Sequence, residues 1–277
     1  MVERRPLADF FTHLLLAAGM ALVALPVWLA FVASTLTPEQ ILDTPMPLIP
    51  GGQLVANYRS VLFEGSTPLR MLMINSAISA LVIACGKIVI SVLSAFAVVY
   101  FRFPGRTFCF WLIFLTLMLP VEVRILPTFQ VVASLGMLDS YAGLTIPLLA
   151  SATATFLFRQ FFLTVPEELA EAARIDGAGP MRFFWSILLP LARTQIAALF
   201  VILFIYGWNQ YLWPLMVTTR EDHYTAVIGI RRLMSGGDAA TEWNLVMATV
   251  ILAMLPPALV VVAMQKWFVR GLVESEK

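Results

Sequence analysis

Few residues in this 277-residue chain are of types that do chemistry, and they do not gather. The two histidines, His13 and His223, are far apart in sequence and lack neighbours of catalytic type. Each reads as an ordinary interfacial residue. The two cysteines, Cys85 and Cys109, fall in or beside apolar runs without metal-ligand spacing, so they read as small packing residues and no metal site is expected. No glycine-rich phosphate loop ending in lysine and serine or threonine occurs, so no ATP site of that kind is expected in this chain. A membrane enzyme acting on lipid or phosphate esters would need paired acids, histidines or a nucleophile on one inner face, and two isolated histidines argue against it. What remains is a set of charges in apolar surroundings: Lys87, and Glu122 with Arg124 between Pro120 and Pro127.

Those surroundings are the dominant feature of the sequence. Hydrophobic residues make up 60% of the chain and charged residues 13%, against about 25% charged in a soluble domain. The mean hydropathy is +0.86. Six long runs have the length needed to cross about 30 Å of hydrocarbon: Leu14–Ala33, Met71–Tyr100, Phe108–Pro127, Ala142–Phe162, Ile196–Met216 and Leu245–Met264. The expected fold is an all-α integral membrane protein of six transmembrane helices. The first run follows Arg4 and Arg5, but it is longer than a signal-peptide core and lacks a clear cleavage site, so it is expected to be retained. With both termini in the cytoplasm, eleven basic residues lie inside and six outside, and the short loop Phe101–Thr107 brings two arginines and no acid. A net charge of +1 gives no reason to expect nucleic acid. The first outer segment, Ser34–Pro68, carries Pro38, Pro45, Pro47, Pro50 and Gly51-Gly52, so an ordered loop with one short helix is expected. It is either a docking surface or a passive connector.

An intramembrane charge is a functional candidate by default. Lys87 lies roughly 24 Å into its span at 1.5 Å per residue, near the midplane or somewhat below it. It can attract an anionic group on a translocation path, or form a buried structural pair, or stretch toward the inner surface. Arg124 can meet a phosphate through paired hydrogen bonds, whereas Glu122 would repel it. The two prolines beside them suggest distorted helix, which suits either a cavity lining or an outer gate. Asn209 and Gln210 bring polar groups into the fifth span, as a pathway contribution or as packing. Trp208 and Trp213 read as interfacial anchors. Ser151, Thr153 and Thr155 alternate with alanines, a composition that lets helices approach closely and suits a contact with a sister subunit.

The segment between the fourth and fifth spans is different in kind. Thr164 with Glu167 has capping-box spacing, and Pro166 suits an opening turn. Glu167 and Glu168 sit where the helix dipole favours negative charge, and Gly177 is a C-terminal stop. The spacing predicts a helix of about ten residues, too short to stand alone in water. Leu169, Ala172 and Ala173 form its low apolar stripe, and Glu167, Glu171 and Arg174 its charged face. A second element opens at Pro180, shows Phe183, Phe184, Ile187 and Leu188, and is expected to stop at Pro190. The pair reads either as a docking element for another protein or as an amphipathic connector on the membrane surface.

Glu171-Ala172-Ala173, then Gly177, then Ile187, Leu189 and Pro190 resemble the EAA loop of binding-protein-dependent ABC importer permeases in residue type and spacing. In that family the loop is the coupling helix seated in the ATP-binding subunit. The resemblance implies that Glu171, Ala172, Ala173 and Gly177 contact or shape that joint, with Asp176 supporting the turn. Asn57-Tyr58, Phe101–Arg106, Trp208-Asn209 and Trp213-Pro214 resemble the MalG-type branch of the family. Further segments, among them Met118–Ile125, Ser151–Phe162 and the ending Phe268–Lys277, resemble branch members that take up sn-glycerol-3-phosphate; a sugar-importing permease is the alternative. The implied architecture is the type I ABC importer transmembrane fold in the bacterial inner membrane. Residues 1–69 would form the first span and periplasmic loop, 70–267 the transport domain with its coupling loop at 164–190, and 268–277 a cytoplasmic tail. The implied partners are a homologous second permease, two ATP-binding subunits that carry ATP and Mg, a periplasmic solute-binding protein and the lipid membrane. A stand-alone secondary transporter would instead show internal repeats and a coupling-ion site, and no convincing repeat occurs.

Overall fold

The computed structural model describes the backbone over residues 6–64, 68–116, 121–234 and 241–274, and the side chains over 10–64, 68–116, 123–234 and 241–266. The described residues are helical, without strands. In chain order, α1 spans Pro6–Ala33, α2 Pro38–Leu42, α3 Leu54–Phe63, α4 Leu69–Tyr100, α5 Arg106–Leu115, α6 Val121–Ser134 and α7 Tyr141–Thr145. Then come α8 at Ala152–Thr164, α9 at Glu167–Ile175, α10 at Pro180–Phe183, α11 at Leu189–Leu191, α12 at Arg193–Trp208, α13 at Leu212–Val217, α14 at Ala226–Leu233 and α15 at Trp243–Glu274.

Three helices, within α1, α4 and α15, are each long and apolar enough to cross a membrane. Two bent helix pairs are together long and apolar enough for a further crossing each: Tyr141–Leu148 with Ala152–Thr164 at 46°, and Pro180–Leu191 with Arg193–Trp208 at 71°. The expected third span, Phe108–Pro127, falls on two shorter helices, α5 and α6, on either side of residues 117–120. Residues 117–120, among them Pro120, lie outside the described residues, as do Arg4, Arg5 and Lys277 and the side chains of 268–274. The chain divides into two compact units: residues 1–71 with 229–255, and residues 72–228 with 256–277.

The first unit is held by polar contacts around the end of α1. Asn57 donates to the carbonyls of Ser34 and Leu36, both at 2.9 Å, and accepts from Asn244 at 3.2 Å. Ser34 shares a hydrogen bond with Tyr58 at 3.0 Å. The amide of Gly51 donates to Thr35 Oγ1 at 2.7 Å, and a Cβ at Gly51 would stand 2.7 Å from the Thr35 carbonyl oxygen. The loop after α1 therefore contains two helices where one was expected. The first is set by a capping box: Gln40 N donates to Thr37 Oγ1 at 3.3 Å while Thr37 N donates to Gln40 Oε1 at 3.1 Å.

The second unit is built on α4. Its fully buried Ala80, Ala84 and Ala95 let neighbours approach closely, and a Cβ at Gly207 would stand 2.9 Å from Ala80 Cα. Phe158, Phe162, Phe184 and Leu188 fill the space around them. Thr155 and Ala154 are buried inside this core, so of the small polar set in α8 only Thr153 is exposed. Cys85 and Cys109 are both exposed and do not serve as interior packing. Trp208 and Trp213 are 2% and 3% exposed, which places them in cores instead of at an interface; Trp213 Nε1 donates to the Gly143 carbonyl at 3.0 Å. His223 packs against Tyr141, ring centroids 5.2 Å apart.

Asp139 closes the segment before α7. With φ at 50°, it accepts from the Thr219 and Arg220 amides at 2.5 and 2.8 Å and from the Thr219 hydroxyl at 2.6 Å. The Thr219 hydroxyl first, and the Arg220 amide second, hold its carboxyl below the ordinary carboxylate range. A group whose folded pKa is depressed adds stability above its unfolded pKa and loses it as pH falls through the folded value. Asp139→Asn keeps the left-handed tolerance but loses the charge. The expected outcome is a lower melting temperature than wild type at neutral pH, a gap that closes as pH drops below the ordinary carboxylate range. Thermal unfolding of the purified protein across pH checks it.

Candidate coupling and translocation sites

The helix α9 is nine residues long. Its start departs from the capping-box expectation. Thr164 still belongs to α8, where its hydroxyl donates to the Phe161 carbonyl at 2.7 Å, and Pro166 is the N-cap with no side-chain cap bond. The hydroxyl is therefore spent on the preceding turn. The C-terminal end follows the expectation. The Ala178 amide donates to Ala173 O at 2.8 Å and the Gly177 amide to Arg174 O at 3.0 Å, with Gly177 at φ 73°. This is the Schellman closure, which needs the left-handed conformation at Gly177. Asp176 is the C-cap, its amide donating to Ala172 O at 2.9 Å.

The faces of α9 differ from the expected stripe. Ala173 is 5% exposed and turns inward with half-buried Ala170, joining the core that holds Phe96, Phe183 and Phe184. A cavity of about 200 Å³ lies beneath, lined by Phe96, Tyr100, Ala170, Ala173, Arg174 and Phe183 among others. Leu169, Glu171 and Ala172 face outward, joined by Ile175 at 86% exposure. Sequence reasoning missed Ile175, although its i+3 spacing from Ala172 signals a shared face. The following segment does not stop at Pro190. A π-helical stretch over Phe184–Leu188 leads into α11, and the 71° bend comes after Leu191. Pro190 has no amide to offer Ser186, so the regular ladder fails there and the wider turn takes its place.

Among the path candidates, Lys87 is 7% exposed, and its Nζ lies 3.8 Å from the Tyr206 ring centroid. That is a cation–π contact in apolar surroundings. Lys87 forms no ion pair with any described residue. Gln210 Nε2 donates to the Tyr206 carbonyl at 3.1 Å, so Tyr206 links Lys87 and Gln210. Arg124, exposed on α6, is near enough for its charge to act on Lys87. Glu122 lies on α6 with its side chain outside the described residues. Asn209 is exposed at the break between α12 and α13, as the C-cap whose amide donates to Ile205 O at 3.0 Å. The structure thus links Lys87 and Gln210 through Tyr206, a residue that sequence reasoning did not single out. Its signal was the i, i+4 spacing from Gln210.

A helix closed by a glycine turn and a broken apolar bundle with a buried cation agree with what the chain is similar to. Residues 87–274 match the family described as binding-protein-dependent transport system inner membrane component. The chain belongs to this family. It is 60% identical over 282 residues to the sn-glycerol-3-phosphate transport system permease protein UgpE of Brucella melitensis biotype 1 and of Brucella suis biovar 1, covering each chain in full. It is 58% identical over 281 residues to the protein of the same name in Pectobacterium atrosepticum, again over both full lengths. A crystal structure of a bacterial ABC transporter involved in the import of the acidic polysaccharide alginate matches 97% of this chain and 99% of that one. The TM-score is 0.84 at 20% identity, a likeness of fold. The chain is an all-α, non-catalytic inner-membrane permease subunit with the ABC importer permease fold. Membership implies an ATPase, a binding protein and a second permease as partners, and ATP and Mg belong to the ATPase.

Nothing within 4 Å would meet a Cβ at Gly177, so its requirement is conformational and not steric. Gly177→Asn should leave α9 closed, whereas Gly177→Val should open its last turn at a cost of about 1–2 kcal/mol. Amide exchange over residues 173–178 checks this: faster in the valine variant, unchanged in the asparagine variant.

Proposed function

We propose that this chain is one of two permeases in an ATP-driven importer that carries sn-glycerol-3-phosphate and glycerophosphodiesters into the cytoplasm. Both termini lie on the cytoplasmic side. Two ATP-binding subunits, one homologous permease and a periplasmic receptor complete the complex, and residues 70–267 form the transport domain. The observation that carries the reading is the seating of α9. One edge, Ala170 and Ala173, is sealed to the chain's own core, while Leu169, Glu171, Ala172 and Ile175 face outward as a low surface. A nine-residue helix with such an edge moves with the core it is sealed to and offers its other face to a partner's cleft. The substrate reading is supported by the names of the full-length relatives and by a buried cation with no ion pair among the described residues, which suits a phosphate ester better than a neutral sugar.

In this mechanism the loaded receptor docks on the outer loops while the ATP subunits close beneath. Closure pushes α9, which displaces the core through Ala173 and Phe183, and the spans rock from inward- to outward-facing. Lys87 and Arg124 attract the phosphate, and Gln210 and Asn209 supply neutral polar contacts beside it. ATP hydrolysis returns the bundle.

The deciding experiment is ATP hydrolysis and uptake by the complex in liposomes with its receptor, given glycerol-3-phosphate, glycerophosphocholine and maltose in turn. Stimulation by the first two alone is expected. Stimulation by maltose would overturn the substrate, and independence from ATP or receptor would overturn the importer reading. Gly177→Asp should insert normally yet abolish uptake, because a charge then enters the joint; normal uptake would count against α9 as the coupling element. Lys87→Met should lower the uptake rate for glycerol-3-phosphate about tenfold, as the loss of one charge-assisted contact near 1.4 kcal/mol, without changing receptor affinity.

A further inference from the structure

A separate cluster of cations sits where the ends of α4 and α8 meet the start of α5. A cavity of about 100 Å³ is lined there by Arg106, Thr107 and Phe110 of α5 and Arg159 of α8, against Val98 and Val99 of α4. Two guanidiniums and a hydroxyl converge on it, and no carboxylate among the described residues lines it. Arg159 stacks its guanidinium over Phe110 at 4.2 Å from the ring centroid. Its Nε is buried without a hydrogen-bond partner, and it forms no ion pair with a described residue. A buried N–H of a permanent cation that has no acceptor is costly, and an anion in the cavity would supply one.

The depth of the cavity says where that anion comes from. Arg106 is the first residue of α5, and Arg159 lies five residues before the end of α8, roughly 7 Å along the helix axis. Both therefore stand within the terminal turns of helices in the bundle, on the side of α9, where a bilayer places its phosphate groups. Phe110, Val98 and Val99 supply the apolar wall that an acyl chain needs below its headgroup.

We propose that this cavity binds the phosphate of an anionic phospholipid from the leaflet on the α9 side. Basic pockets between membrane helices on the cytoplasmic side take anionic headgroups, and guanidinium forks match phosphate oxygens in paired hydrogen bonds. A soluble phosphate ester has the same head chemistry but no use for the apolar wall. The inference depends on the chain lying in a bilayer and not on which solute it carries. Its consequence is that a lipid would clamp α5 to α8 directly before the turn into α9.

The test is native mass spectrometry of the intact importer complex, released from bilayers of mixed phosphatidylglycerol and phosphatidylcholine. Wild type should retain phosphatidylglycerol in excess over its share of the bilayer. Arg106→Gln and Arg159→Gln should each lower that excess about fivefold, the effect of one cation near the surface. Arg159→Lys should keep most of it, and Arg220→Gln, exposed near Asp139, should leave it unchanged. Equal retention of both lipids by wild type would overturn the proposal without any variant. So would an unchanged ratio in both glutamine variants, an equal loss in Arg220→Gln, or displacement of the retained lipid by inorganic phosphate, which would assign the cavity to a soluble anion.

Discussion

In hydrocarbon, a backbone carbonyl that loses its helical donor has no water to turn to, and this chain interrupts its helices repeatedly. At several of these breaks a side chain supplies a further donor. Trp213 supplies its indole N–H to Gly143 near the end of α7, and Thr218 bonds back to Pro214 at the end of α13. Gln210 covers the Tyr206 carbonyl where α12 ends, and Ser91 reaches the Ser151 carbonyl before α8 begins. Asn75 donates to the carbonyls of Asp222 and Tyr224, while its own oxygen accepts from Tyr141. Asn57 does the same for Ser34 and Leu36 in the other unit. Segments that resemble the importer family, Asn57-Tyr58 and the stretch from Trp208 to Pro214, thus contain the donors that let the backbone turn inside an apolar environment.

Fixed breaks give the second unit stiff pieces that can move as bodies. Alanines on α4 and Gly207 on α12 bring two of these pieces to backbone contact, which side-chain rearrangement cannot absorb. Toward α9 the contact changes character. Phe96 meets Phe184 at 4.8 Å between ring centroids, and Tyr100 meets Phe183 at 5.2 Å, with Ala173 completing the same core. Aromatic rings over a small cavity can slide where interlocked backbones cannot. On the proposed reading, a push on α9 therefore reaches α4 through the rings first.

The sequence makes the apolar spans and the α9 helix legible because both rest on local chemistry. Apolar length marks a crossing, and a glycine at a helix end marks its turn, so the six runs and the Gly177 closure could be read directly. The misread features depend on competition between neighbours. A threonine followed three residues later by an acid or amide occurs at Thr37–Gln40 and again at Thr164–Glu167, yet only the first is a capping box. At the second, the preceding helix already holds the hydroxyl. Trp208 and Trp213 carry the composition of an interface, and only the fold shows that their neighbours bury them. Tyr206 was not legible as a partner of Lys87, because a cation–π contact between α4 and α12 leaves no pattern in either segment.

That contact also bears on how the buried charge can be used. A lysine held by a carboxylate in lipid would be neutralised, and displacing the acid would cost a solute most of what it gained. Tyr206 stabilises the ammonium through its ring face without neutralising it. An anion arriving nearby meets an attraction that no described acid has spent. Transit needs binding strong enough to draw the solute in and weak enough to let it go. A single point charge on a flexible stem meets both conditions better than an arginine fork, which would fix a phosphate by paired bonds. Arg124 has that fork, and it lies exposed on α6 while Lys87 is buried. On the proposed reading the two cations then divide the work by geometry: the fork for capture where water can help release, the lysine for passage where it cannot.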